Sequence, residues 1–196
     1  PQRFGSTRPV TPRVGMSVLE GDFESAVNHY VGLESTREGD ESKLFRSSWR
    51  ENKDPAGSLE LAPDRLGYEI SMLEHLQKKP SDFLGAFKTL PNSLQLLMVH
   101  SVQSLAFNHS LSERIDSGLS LIEPSEGDLV APVLANGRID VGKMAMVSKS
   151  NLARCRRNCN LGRLVVTGTL PGRDSPLAEQ GPGMAERKGI DKSRLS

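Results

Sequence analysis

The chain has 196 residues, 36% hydrophobic and 25% charged, an ordinary globular composition sufficient for one good-sized domain or one domain with part of another. Its formal charge of +1 exerts no global pull toward nucleic acid or membrane, so any RNA contact must come from local patches. No apolar run approaches the roughly 18 residues of a membrane span, no signal peptide stands at the start, and Cys155 and Cys159 are too few for a disulfide scaffold, so a cytoplasmic protein is expected.

Residues 1 to 15 hold Pro9, Pro12 and several Arg, and predict an extended segment or loop. Phe23, Ala26, Val27, Tyr30 and Val31 recur at helical spacing, with Asp22 placed as N-cap and Gly32 as the stop. Thr36 to Asp54 is densely charged, with Leu44, Phe45 and Trp49 as a narrow apolar stripe. It predicts a mostly exposed helix that ends before Pro55. Leu66, Ile70, Leu73 and Leu76 mark another helix, closed by Lys78-Lys79-Pro80. Ser81 is placed to cap a short one bearing Phe83, Leu84 and Phe87, which Pro91 separates from the next helix.

The stretch that organises the chain is Leu94 to Ile115. Asn92 or Ser93 can cap it, and Leu94, Met98, Val102 and Leu105 stack on one helical face. Leu97, Val99, Ala106 and Phe107 widen that face until the first half is apolar nearly all round, which predicts a helix with neighbours on several sides. Gln103, Ser104 and Asn108 follow His100 at spacings of three, four and eight, so the four lie along one polar strip. Buried polar groups need partners. The strip is therefore either an internal network that fixes one packing or the lining of a cleft where RNA enters, and the network is the expectation.

After Gly118 the pattern changes. Asp128 to Leu134 favours a strand, restricted by Pro132 to an edge or bulge. Asn136-Gly137 predicts a type I′ hairpin turn. Met144 to Val147 reads as a short strand, Asn151 to Asn158 as a helical turn, and Arg163 to Leu170, rich in Val and Thr, as the strongest strand. Pro171 to Gly183 reads as a loop and Met184 to Lys188 as a short helix. Helices first and a small antiparallel sheet afterwards make an α+β fold, helical through its N-terminal two-thirds.

Candidate chemistry is sparse. There is no GxSxG elbow, GxGxxG or GxxxxGK[ST] loop, and His29, His75, His100 and His109 form no metal-binding pattern with the two cysteines. Cys155 and Cys159 share a helical face, but a zinc site needs two more ligands, and free structural cysteines are expected. Arg154, Arg156, Arg157 and Arg163 form the best local footprint for a phosphate backbone, with a solvated surface patch as the equal rival. Arg3, Arg8 and Arg13 form a looser group.

His100-Ser101-Val102-Gln103-Ser104-Leu105-Ala106-Phe107-Asn108 resembles the H-x-Y-Q-S-x-x-F/W-N signature of the TruD family of pseudouridine synthases. Gln2-Arg3-Phe4-Gly5, followed by Arg8-Pro9-Val10-Thr11, resembles the end of that family's FGxQRFG segment and the RPxT after it. Glu126-Gly127-Asp128-Leu129-Val130, Gly162 to Val166 and Thr169-Leu170-Pro171-Gly172 resemble later segments, all in family order. Val102 stands where the family commonly has Tyr, Ala106 where it has a larger apolar residue, and Pro12 where it has His.

The resemblance implies a tRNA pseudouridine synthase acting on uridine 13 without a cofactor or metal. It implies an internal piece: residues 1–33 as a margin of the catalytic domain, and 34–196 as the family's insertion domain, facing the catalytic fold across a cleft that holds tRNA. The family's catalytic Asp lies upstream of Pro1, so no residue here is catalytic and the piece alone should not turn over. Its share would be RNA positioning and cleft closure, through Arg3, Arg154, Arg156 and Arg157. Its partners would be tRNA and the remainder of the catalytic domain, with no membrane. A non-catalytic α+β module binding protein or RNA is the alternative.

Overall fold

The computed structural model describes residues 9–171 and 181–193. They form an α+β fold, in which seven helices precede a three-stranded antiparallel sheet and two further helices. Packing divides the chain into two compact units, the break falling between Val102 and Gln103.

The first unit is helical: α1 (Thr11–Leu19), α2 (Phe23–Gly32), α3 (Asp40–Asn52), α4 (Pro55–Glu60), α5 (Gly67–Lys78), α6 (Phe83–Phe87) and α7 (Asn92–Asp116) as far as Val102. α2 forms as its pattern predicts, with the Asp22 carboxylate accepting the Ser25 N–H at 2.9 Å. Val14, Val27, Val31, Phe45, Trp49, Met72, Leu73, Phe87 and Met98 make one core. α1 and α2 share this core with α3, α5 and α6.

Four local expectations change here. Within the predicted N-terminal loop, α1 starts at Thr11, because Pro12 sits in a first turn where a missing N–H leaves no bond unmade. Gly15 lets that helix approach α7, where a Cβ would overlap the Met98 carbonyl. α3 buries Phe45 and Trp49, but Leu44, one residue off that stripe, is 57% exposed. α6 is capped by Asp82 rather than Ser81, whose φ of +68° takes the chain around the corner. Finally, α7 is one-sided among the described residues: Met98 is buried, whereas Leu96 and Leu97 are 57% and 52% exposed.

Charged α3 also contributes to the interior. Arg46, 1% exposed, donates to Glu38, to Glu69 and to the Val31 carbonyl at 2.7 Å, tying α3 to α5 and to the end of α2.

The second unit takes the rest of α7, β1 (Leu129–Pro132), a 3-10 turn (Val141–Lys143), β2 (Ala145–Met146), α8 (Leu152–Asn160), β3 (Leu164–Thr167) and α9 (Pro182–Lys192). The sheet order is β2-β1-β3, with Val130 opposite Ala145 and Val166. β1 is therefore the central strand, contrary to the edge or bulge position expected from Pro132. The proline is tolerated because it is the last residue of the ladder, opposite Leu164. α8 covers one face of the sheet, burying Cys155 with Val130 and Val147.

The Asn136-Gly137 turn forms, but not as type I′. Only Gly137 has positive φ (+77°); Asn136 does not, and type I′ requires both. The Gly137 N–H donates to the Leu134 carbonyl and the Leu134 N–H to the Arg138 carbonyl, which makes a three-residue loop closed by a left-handed glycine.

Candidate nucleic-acid interface

The second unit is braced from within by Arg114 of α7. Its guanidinium meets the Asp128 carboxylate end-on, Nη1 to Oδ1 at 2.5 Å and Nη2 to Oδ2 at 2.9 Å, and also donates to the Ser120 carbonyl. Asp128 is 2% exposed and accepts the Ser125 N–H as well. Such a fork-to-fork pair fixes orientation as well as distance. It ties α7 to the segment that enters β1, the strand against which α8 packs.

α8 displays the basic cluster. Arg154, Arg156 and Arg157 are exposed on it, and Arg163 is exposed where β3 begins. The members are not equivalent. Arg156 pairs with Glu123 at 3.1 Å and donates to the Pro124 carbonyl at 3.2 Å, whereas the guanidinium groups of Arg154, Arg157 and Arg163 have no partner among the described residues.

The polar strip on α7 is buried only in part. His100, in the first unit, is exposed. In the second, Gln103 is exposed and Ser104 and Asn108 are half-buried. Gln103 donates through Nε2 to the Pro171 carbonyl at 3.0 Å, which fastens the chain leaving β3 to the helix. One turn on, Phe107 lies against Gly168, where a Cβ would come within 2.7 Å of the ring. Met98, Val102 and Ala106 make the helix's buried line, and His100 and Gln103 lie off it. Gln103 shares no hydrogen bond with the α8 arginines among the described residues. Gln2, Arg3, Phe4 and Gly5, singled out in the sequence, lie outside the described residues.

Sequence reasoning missed Arg114 and Glu186. Glu186 of α9 is half-buried, accepts the Thr169 N–H at 3.3 Å, and is held above the usual carboxylate range by that burial. α9 fits closely along α7 at Gly189, where a Cβ would overlap Ser110. On the same helix, Lys192 pairs with Glu113. Neither partnership has a signal in the sequence, because the partners lie far apart along it. Among the described residues no three His, Cys, Asp or Glu side chains cluster as metal ligands. No helix among them is long and apolar enough to cross a membrane.

The family model for tRNA pseudouridine synthase D (TruD) matches residues 1–196. The chain belongs to the TruD family. It is 37% identical over 195 residues to the "Probable tRNA pseudouridine synthase D" of Methanosarcina acetivorans, covering 100% of this chain and 44% of that protein. To the protein of the same name from Halobacterium salinarum it is 38% identical over 200 residues, 100% of this chain and 46% of the relative. The crystal structure of a Methanosarcina mazei protein described as a TruD matches with a TM-score of 0.91 at 35% identity, over 100% of this chain and 45% of that one. The chain thus spans just under half the length of the TruD relatives it matches.

Proposed function

We propose that the whole protein is a tRNA pseudouridine synthase acting on uridine 13, and that these residues position the RNA and close the cleft over it. The reaction breaks the bond from a base nitrogen to the ribose, forms one from a base carbon, and moves that carbon's proton to the nitrogen. It is redox-neutral and calls for no cofactor. The carboxylate for this step would come from polypeptide outside these residues, which alone would be inactive. Residues 1–33 would border the catalytic domain and 34–196 would be the insertion. Exposed Leu96 and Leu97 on α7 favour further polypeptide packing there. A cytoplasmic location fits this substrate.

The observation that carries the reading is the pair of guanidinium groups on α8, Arg154 and Arg157, unpartnered among the described residues in a chain whose net charge is only +1. A nearly neutral protein that binds a polyanion must concentrate its cations locally. Changing Arg154, Arg156 and Arg157 together to Ala in the whole protein should weaken tRNA binding and make its salt dependence shallower. Unchanged affinity and slope would remove α8 from the interface.

A further inference from the structure

Beside the Asp128 pair the second unit holds a cavity of about 150 Å³, lined in part by Arg114 itself but by none of the α8 arginines. α7 supplies Phe107 and Leu111, β3 supplies Val166, and Leu121 stands at the rim, 47% exposed. The volume is close to that of a cavity known to take up benzene, the scale of a single flat ring. The lining is not purely apolar. Thr169 and the Glu186 carboxyl complete it from the far side, and the bare Gly168 keeps the Phe107 ring in place.

The polar groups differ in how fully they are used. The Ser110 hydroxyl is spent on the Glu186 carbonyl at 3.0 Å. Among the described residues four of the five Arg114 N–H groups bond Asp128 and Ser120, and one on Nη1 has no partner. A remaining donor and a carboxyl with lone pairs to spare, between apolar walls, suit a heterocycle that carries acceptor and N–H groups on one edge. Burial raises the Glu186 carboxyl above its ordinary range; ionised it accepts, and protonated it can also donate.

We infer that the Phe107–Glu186 cavity is a receptor for one unstacked nucleobase of the RNA, apart from the base that reacts. The inference rests on the proposed tRNA substrate and adds to it a specificity element. Pulling one nucleotide out of a folded RNA leaves its neighbours unstacked, and a pocket that takes one of them returns part of the lost stacking. Phe107 falls one turn after Gln103 on α7, so the helix face that fastens Pro171 also forms a wall of the receptor.

The test uses the whole protein and two probes: the four nucleoside 5′-monophosphates, followed by saturation-transfer NMR at the base protons, and tRNA, followed by equilibrium binding. Leu121→Trp fills the mouth from an exposed position, and near-isosteric Glu186→Gln alters the polar edge without changing the volume. Leu121→Trp should weaken tRNA binding about tenfold, the scale of one lost base contact, and abolish the nucleotide signal that arises here. Glu186→Gln should change the ranking of the four nucleotides. If neither variant changes either probe, the cavity is not a base receptor. If Leu121→Trp lowers nucleotide binding but leaves tRNA binding untouched, the ligand is a free nucleotide and the inference fails in its RNA form. If the unaltered protein holds nucleotides here yet binds no tRNA at all, the proposed substrate fails while the cavity keeps its chemistry.

Discussion

Arg114 and Asp128 face each other through two parallel hydrogen bonds, with both side chains nearly out of water. A buried ion pair is not by itself a large source of stability, because desolvation offsets the attraction. Removing one partner is different, since it leaves the other charged and alone. Asp128→Ala should therefore destabilise the protein by about 3–5 kcal/mol. Replacing both residues with apolar ones of similar size should recover much of that loss. Urea unfolding of the two variants checks this; equal losses would mean that the pair itself, not the orphaned charge, carries the effect.

Gly189 marks the tightest approach of α9 to α7, with no room for a Cβ against the Ser110 backbone. In an exposed helix Gly→Ala is normally stabilising, because it removes chain entropy from the unfolded state. Here the helices must separate instead. Gly189→Ala should lower stability by about 1–3 kcal/mol and increase hydrogen exchange in α9 more than in α8. A stabilised variant would show that α9 does not pack there in solution.

Glu186 gives a pH signature with a definite sign. Burial raises its pKa in the folded protein above the unfolded value, so the folded state binds the proton more readily. Stability from this group then falls as pH rises through the folded pKa, and is fully regained below the ordinary carboxylate value. Glu186→Gln removes the titration. The stability difference, variant minus unaltered protein, should grow as pH rises from the ordinary carboxylate value through the folded pKa, read from unfolding midpoints at each pH. A difference that shrinks over that range would place the carboxyl in contact with a cation instead.

Locally encoded features are legible in the sequence. α2 carries its own cap, since Asp22 and Ser25 are three residues apart, and the Phe45–Trp49 stripe is one helical turn. The α+β order follows from where the period changes after Gly118. Features set by distant partners are not legible. Arg46 looks like one charge in an exposed run until Glu69, 23 residues on, closes over it. The polar strip of α7 is buried only in part for a related reason. Its spacing is right, but which side of a helix is buried depends on partners distant in the sequence, as where α1 meets α7 at Gly15 and Met98. In the candidate interface the arginines of α8 are visible as a cluster, whereas the Glu123 carboxylate that occupies Arg156 is not.

The difference between free and occupied arginines yields a graded prediction for RNA binding. Each lysine or arginine that neutralises a phosphate releases about one counterion, which adds roughly 0.9 to the slope of log affinity against log salt. Arg154 and Arg157 have no partner to give up among the described residues, while Arg156 must first leave Glu123 and the Pro124 carbonyl. Arg154→Ala and Arg157→Ala should each lower the slope for tRNA by about 0.9, and Arg156→Ala should lower it by less. Glu123→Gln, which frees Arg156 without touching the arginines, should strengthen binding and steepen the slope. If Arg156→Ala has the largest effect of the three, the Glu123 pair gives way to phosphate on binding, and the interface is centred on Arg156 instead.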